Sequence, residues 1–136
     1  MKEQIRQVKE FNKAFGIKDV SPELRFEMIK EELIEYFEAS YIEYFDESYI
    51  DNIEDDSLNL DIDKVEQADA IGDMLYLVFG AVIDAGLEDK IEAIFDEIHR
   101  SNMSKLEDGK PIYREDGKVQ KGKDYFPPNI KDILEL

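Results

Sequence analysis

Apolar residues recur at three- and four-residue steps through most of the first hundred positions, which is the spacing of amphipathic helices. Ile5, Val8, Phe11 and Phe15 predict a helix over about 2–15, with Gly16 as its stop. Ser21-Pro22 places an N-cap before a proline at the first helical position. This opens a helix over about 22–45 whose stripe is Phe26, Ile29, Leu33, Phe37 and Tyr41. From about Asp46 to Leu60 the periodicity breaks in a stretch rich in Asp, Asn and Ser, a loop or a frayed helix end. A third helix, about 62–85, begins near Asp61 to Asp63 and stops at Gly86. Ile71, Leu75, Val78, Phe79 and Val82 make it the most apolar segment, so much of it is expected to be buried. The fourth runs over about 87–104, with Ile91, Ile94, Phe95 and Ile98 as its apolar side.

After Lys105 the texture changes. Glu107-Asp108-Gly109 reads as a turn, and Pro111-Ile112-Tyr113 and Lys118-Val119 flank Glu115-Asp116-Gly117 as a short hairpin. Pro127-Pro128 precludes regular structure, and Ile130 to Leu136 offers one more helical turn. The expected architecture is a single all-α domain over residues 1–136. It is a bundle of four to five helices carrying a basic hairpin and loop tail over about 106–136.

Composition narrows the function classes. With 136 residues, 43% of them hydrophobic, the chain can bury a core, and global disorder is excluded. It contains no cysteine, so disulfides and thiolate metal ligands are ruled out, which suits a cytoplasmic setting. The N-terminal residues Met1 to Arg6 mix charges and lack an apolar core, so no signal peptide is expected. The longest apolar run, Met74 to Ile83, is too short to span a bilayer. A net charge of −17 argues against nucleic acid and acidic membranes as partners. That charge is unevenly placed. Residues 27 to 73 hold seventeen acids against Lys30 and Lys64, whereas residues 100 to 123 hold seven bases against four acids. An acidic middle and a basic tail fit a metal site facing a polyanion, and equally fit ordinary solvated helix faces.

Two acid clusters carry the chemistry. On the second helix, Glu31, Glu32 and Glu35 fall within one arc of roughly 100°, where the apolar stripe meets the polar face. Glu27 and Glu38 fall beyond it and are expected in solvent. On the third helix, Glu66, Asp69 and Asp73 share one side, and Gly72, Tyr76 and Gly80 continue the same line. Carboxylates about 4 Å apart repel by ~1 kcal/mol even in water, and by more where water is scarce. Beside the third-helix acids the local sequence offers only Lys64 as a base, so a hard divalent cation, Mg²⁺ or Mn²⁺, is the expected counter-charge. An EF-hand is excluded: Asn59, Asp61 and Asp63 start its alternation, but Lys64 holds the glycine position and Ala70 that of the closing glutamate. His99, the single histidine, reads as a polar or packing residue. No P-loop, GxGxxG, HExxH or nucleophile elbow is present. Arg100, Asn102, Lys105 and Lys121 could bind phosphate or sugar, or merely complement a helix C-terminus.

The chain resembles the all-α nucleoside triphosphate pyrophosphohydrolases of the MazG-like superfamily, and within it the single-domain, dimeric dUTPase-like branch. The residues that carry the resemblance are Glu31-Glu32-x-x-Glu35, Glu66-x-x-Asp69 running through Asp73 to Tyr76, and His99-Arg100-Ser101-Asn102-Met103-Ser104-Lys105. Asp116-Gly117-Lys118-Val119-x-Lys121-Gly122 and Tyr125-Phe126-Pro127-Pro128 follow downstream. The resemblance implies a homodimer or dimer of dimers and Mg²⁺ held by Glu32, Glu35, Glu66 and Asp69. Asp73 would be an outer ligand, an acceptor behind the direct ligands or a structural residue. Glu31, with Glu35, would position or deprotonate the attacking water, and Asn102, Lys105, Lys121 and Arg100 would grip phosphates or sugar. The implied activity is hydrolysis of a nucleoside triphosphate to monophosphate and pyrophosphate, clearing dUTP or another pyrimidine or non-canonical nucleotide. A pyrophosphohydrolase of a phosphoribosyl-nucleotide and a non-catalytic acidic interaction module are the alternatives.

Overall fold

The computed structural model describes residues 1–40 and 63–136. Along them run α1 (Lys2–Ala14), α2 (Pro22–Ser40), α3 (Lys64–Asp84), α4 (Ile91–Met103), β1 (Ile112–Tyr113), β2 (Val119–Gln120) and α5 (Ile130–Leu134). The class is all-α with a small hairpin, as the periodicity predicts. The continuation of the second helix to 45, the stripe position Tyr41 and the loop from Asp46 to Leu60 lie outside the described residues.

The punctuation residues act where they stand. Gly16 and Gly86 adopt φ of +67° and +65°, the left-handed conformation that ends a helix without a Cβ penalty. Ser21 Oγ accepts from the Leu24 backbone N–H at 3.1 Å, capping α2 ahead of Pro22. Asp63 caps α3, accepting from the N–H groups of Val65 and Glu66 at 2.9 and 3.1 Å. The fourth helix starts later than expected. Leu87 to Lys90 form a tight turn in which the Lys90 and Ile91 N–H groups both reach the Leu87 carbonyl at 2.9 Å, so regular helix begins only at Ile91.

The chain divides into two compact units, Lys2–Gly86 and Leu87–Leu136, the second also taking Met1. In the first, α1 and α2 pack against α3, and α2 and α3 run antiparallel. Arg25 near the start of α2 donates from Nε to Asp84 Oδ2, at the end of α3, at 2.8 Å. Asp63 N–H donates to the Ala39 carbonyl at 3.0 Å at the opposite end of the pair. The buried side chains here are Ile5, Val8, Ala39, Ser40, Ala70 and Val82. Much of the expected apolar stripe is not buried within the chain. Phe26 is 62% exposed and Leu75 54%, with Leu33, Ile71 and Val78 exposed as well. The expectation of a largely buried third helix is thereby corrected. Among the described residues, α3 is fully buried only at Ala70, Gly80 and Val82.

In the second unit the C-terminal segment lies along α4. Ser101 Oγ donates to the Phe126 carbonyl at 2.9 Å, and Ser104 Oγ accepts from the Phe126 N–H at 3.2 Å. Lys90 Nζ donates to the Ile133 carbonyl at 2.9 Å. Ile94 is buried, but Phe95 and Ile98, expected on the apolar side, are exposed. The hairpin pairs Ile112 with Gln120 and Tyr113 with Val119, turning at Gly117 with φ +79°. Asn129 caps the last helical turn, accepting from the Asp132 N–H.

Candidate active site

The antiparallel pairing of α2 and α3 sets the two acid motifs against each other. Glu32 is half-buried, and its Oε2 is buried with no hydrogen-bond partner. Burial pushes its carboxyl above the ordinary value of 4.5, and repulsion from Glu35, Asp73, Glu31 and Asp69 adds to the shift. Four carboxylates from two helices therefore act on Glu32. Glu66 faces a neighbouring open cleft of about 470 Å³, shared with Glu35, Glu38 and Asp63. Glu38, expected in solvent, is exposed and lines this open cleft beside two of the site acids.

Among the described residues, none of Glu31, Glu32, Glu35, Glu66, Asp69 and Asp73 forms an ion pair with a lysine or arginine. Lys64, near the start of α3, donates instead to Gln67 Oε1 at 3.1 Å. Also among the described residues, no three acid or histidine side chains are gathered tightly enough to hold an ion as they stand. The arrangement is an electrostatic cluster rather than a finished coordination shell. Its chemistry still fits a hard cation: every donor is a carboxylate oxygen, and the buried Glu32 oxygen lacks any other partner.

Beside the cluster is a cavity of about 270 Å³ between α1, α2 and α3. Phe11 and Asn12 line it from α1, Arg25 and Met28 from α2, and Tyr76 from α3, and Glu31, Glu32 and Asp73 form part of the same wall. The Phe11 and Tyr76 rings meet edge to face, with centroids 5.8 Å apart. Gly80 admits the Arg25 guanidinium, whose atoms stand 2.5 to 2.8 Å from where a Cβ would be. Of the two glycines expected to allow a close approach, Gly80 does so; Gly72 meets nothing within 4 Å.

The four expected substrate-binding residues belong to the other unit. Arg100 is held by Glu97, with Nε to Oε2 at 2.7 Å, and lies 4.3 Å from the Phe126 ring centroid. Lys105 Nζ donates to Asn102 Oδ1 at 2.8 Å, and Lys121 Nζ lies 4.4 Å from the Tyr125 ring centroid.

A comparison with family models matches residues 2–102 to phosphoribosyl-ATP pyrophosphohydrolase. The chain belongs to that family. Phosphoribosyl-ATP pyrophosphohydrolases fall within the MazG-like all-α superfamily that the acid motifs resemble. A comparison with curated proteins finds no match. The segment assigned to the phosphoribosyl-ATP pyrophosphohydrolase family contains all six acids together with Arg100 and Asn102, while Lys105 and Lys121 lie beyond it. No helix among the described residues is long and apolar enough to cross a membrane. Sequence reasoning missed Arg25, Asn12 and Asp84 as parts of the cavity and its support. A signal was present: Arg25 and Asp84 stand at opposite ends of two helices that an antiparallel pairing brings together.

Proposed function

We propose that the protein is a divalent-cation-dependent pyrophosphohydrolase that cleaves the phosphoanhydride of a phosphoribosyl-nucleotide, releasing pyrophosphate and leaving a monophosphate. Membership of the family supports the reaction class. The observation that carries the site is Glu32, whose partnerless buried oxygen sits amid the charges of Glu31, Glu35, Asp69 and Asp73. Such a cluster is costly unless a cation joins it.

Glu32, Glu35, Asp69 and Asp73, with Glu66 beside Glu35, would hold Mg²⁺, for which Mn²⁺ could substitute. When bound, the cation neutralises phosphate oxygens and makes a bound water more acidic. Glu31, exposed on the cavity wall, would take the proton from the attacking water, with Glu35 orienting it. Neutralised acids are needed for binding too, because a polyanionic substrate is otherwise repelled by a chain of net charge −17. Arg100, Asn102, Lys105 and Lys121 are proposed as phosphate and sugar ligands on their donor chemistry. A cytoplasmic setting, where nucleotides turn over, suits this reading.

A second substrate class is a nucleoside triphosphate, with dUTP and other pyrimidine or non-canonical deoxynucleotides first. It is favoured by the basic, glycine-punctuated segment that follows residue 102, outside the part matched to the family. The exposed apolar side chains of α2 and α3 support association with a second copy, as a homodimer or dimer of dimers.

Pyrophosphate release from a panel holding a phosphoribosyl-nucleoside triphosphate and canonical and modified nucleoside triphosphates, with and without Mg²⁺, tests the reading. Divalent-dependent release that Glu35→Ala or Asp69→Ala abolishes, at unchanged helical content, supports it. Orthophosphate as first product, or release that ignores divalent ions, counts against the mechanism. No release from any member would favour an acidic interaction module.

A further inference from the structure

We propose that the cavity between α1, α2 and α3 is the base subsite of the nucleotide, and that Arg25 sets which base it accepts. This rests on the functional reading above and deepens it. At about 270 Å³ the cavity lies just below the ~300–1,000 Å³ typical of pockets that enclose a whole small ligand, so it takes one ring system rather than an entire nucleotide. Phe11, Tyr76 and Met28 give it walls that suit a flat heterocycle and reject a phosphate. It shares Glu31, Glu32 and Asp73 with the acid cluster, so a base seated here leaves its phosphates beside those acids.

Two polar groups in the wall can read a base edge. The Asn12 amide offers both donors and an acceptor, whereas the Arg25 guanidinium offers donors only. Arg25 therefore selects an edge that presents a carbonyl oxygen or ring nitrogen. It is also fixed in place. Asp84 accepts from its Nε at 2.8 Å, its side chain is only 11% exposed, and the absence of a Cβ at Gly80 leaves the space the guanidinium fills. A methyl group at position 80 would displace the guanidinium or break its bond to Asp84. Asp84 and Gly80 are thus positioning residues for the reader.

The test compares wild type with Gly80→Ala, Arg25→Lys and Asn12→Ala in two assays. One is pyrophosphate release across the same panel with Mg²⁺. The other is NMR titration with nucleoside 5′-monophosphates, following the Phe11 and Tyr76 ring signals. The expected result is ring-signal shifts in wild type and a fall of at least tenfold in the spread of kcat/KM among bases in Gly80→Ala and Arg25→Lys, carried by KM. A purely structural role would lower all substrates alike and leave that spread unchanged, and this result would overturn the inference. Asn12→Ala carries no ion pair, so loss of selectivity there supports the subsite even if the Arg25 variants fold poorly. Base binding that moves the rings without pyrophosphate release from any substrate would sink the functional reading and leave the subsite standing. Neither binding nor release would overturn both.

Discussion

Gln67 Nε2 donates to Ser40 Oγ across 3.0 Å, joining the last residue of α2 to the first turn of α3. Ser40 is buried and its hydroxyl donates to the Tyr36 carbonyl at 2.8 Å, so the Gln67–Ser40 bond ties α2 to α3 at one end of the helix pair that carries the acids. Gln67→Leu leaves the Ser40 oxygen short of a donor at a buried place. The expected cost is about 1–2 kcal/mol, a fall of several degrees in Tm. Thermal unfolding followed by circular dichroism measures it, and an unchanged midpoint would show that the bond is idle.

Glu32→Gln removes one charge from a cluster of five while keeping the side chain's shape. The folded-state carboxyl titrates above its ordinary value, so its ionised form weakens the fold at every pH above that raised value, and the penalty fades as pH falls through it. In EDTA at neutral pH the variant should therefore melt higher than wild type. With Mg²⁺ the order should reverse, because the cation stabilises the wild-type site by about 2.7 kcal/mol at a hundredfold excess over its Kd and finds a poorer ligand in the variant. Pyrophosphate release should fall with it. Melting curves with and without Mg²⁺ decide the point, and a variant less stable than wild type in EDTA would show that repulsion is not what strains this site.

How much of this was legible in the sequence depends on what kind of information each feature needs. Helix ends were readable because Gly16, Ser21-Pro22, Asp63 and Gly86 act through local backbone chemistry. The grouping of Glu31, Glu32 and Glu35 on α2, and of Glu66, Asp69 and Asp73 on α3, was readable because helical spacing fixes which side chains share a face. What periodicity does not carry is the register between helices. That register puts Glu66 and Glu38 in the neighbouring cleft and brings Arg25 to Asp84. Burial was overread for the same reason. An apolar side at Phe26, Leu33 or Leu75 signals that something covers it, not that the covering surface belongs to the same chain.

Acid should release the C-terminal segment from α4. The side-chain bond from Arg100 holds the Glu97 carboxyl down at about 2, and the Asn129 backbone N–H adds to it at 2.7 Å. A carboxylate whose folded value is depressed contributes stability above its ordinary value of 4.5, and that contribution is lost as pH falls through about 2. The Asn129 amide should exchange with solvent faster as pH approaches 2, relative to its intrinsic rate. In Glu97→Gln its protection should already be reduced at neutral pH and change little on acidification. Amide exchange by NMR reads both, and equal protection in the two proteins at pH 6 would show that Glu97 does not hold the segment.

Association of the chain is tested most sharply at Leu33 on α2 and Leu75 on α3, both more than half exposed. Positions exposed in the single chain tolerate substitution within about 0.5 kcal/mol, so the chains carrying Leu33→Lys and Leu75→Lys should keep their helical content, and their midpoint should fall only by the stability that association gives wild type. In an interface the same changes remove about 1.5–3 kcal/mol of apolar burial apiece and bring in a charge to be desolvated. At 1.4 kcal/mol per tenfold, each should weaken self-association by at least an order of magnitude. Sedimentation velocity at micromolar concentration should find wild type as a dimer or larger and both variants shifted toward monomer. Wild type sedimenting as a monomer would mean that these side chains meet a different partner or none, and the second-copy reading would fall.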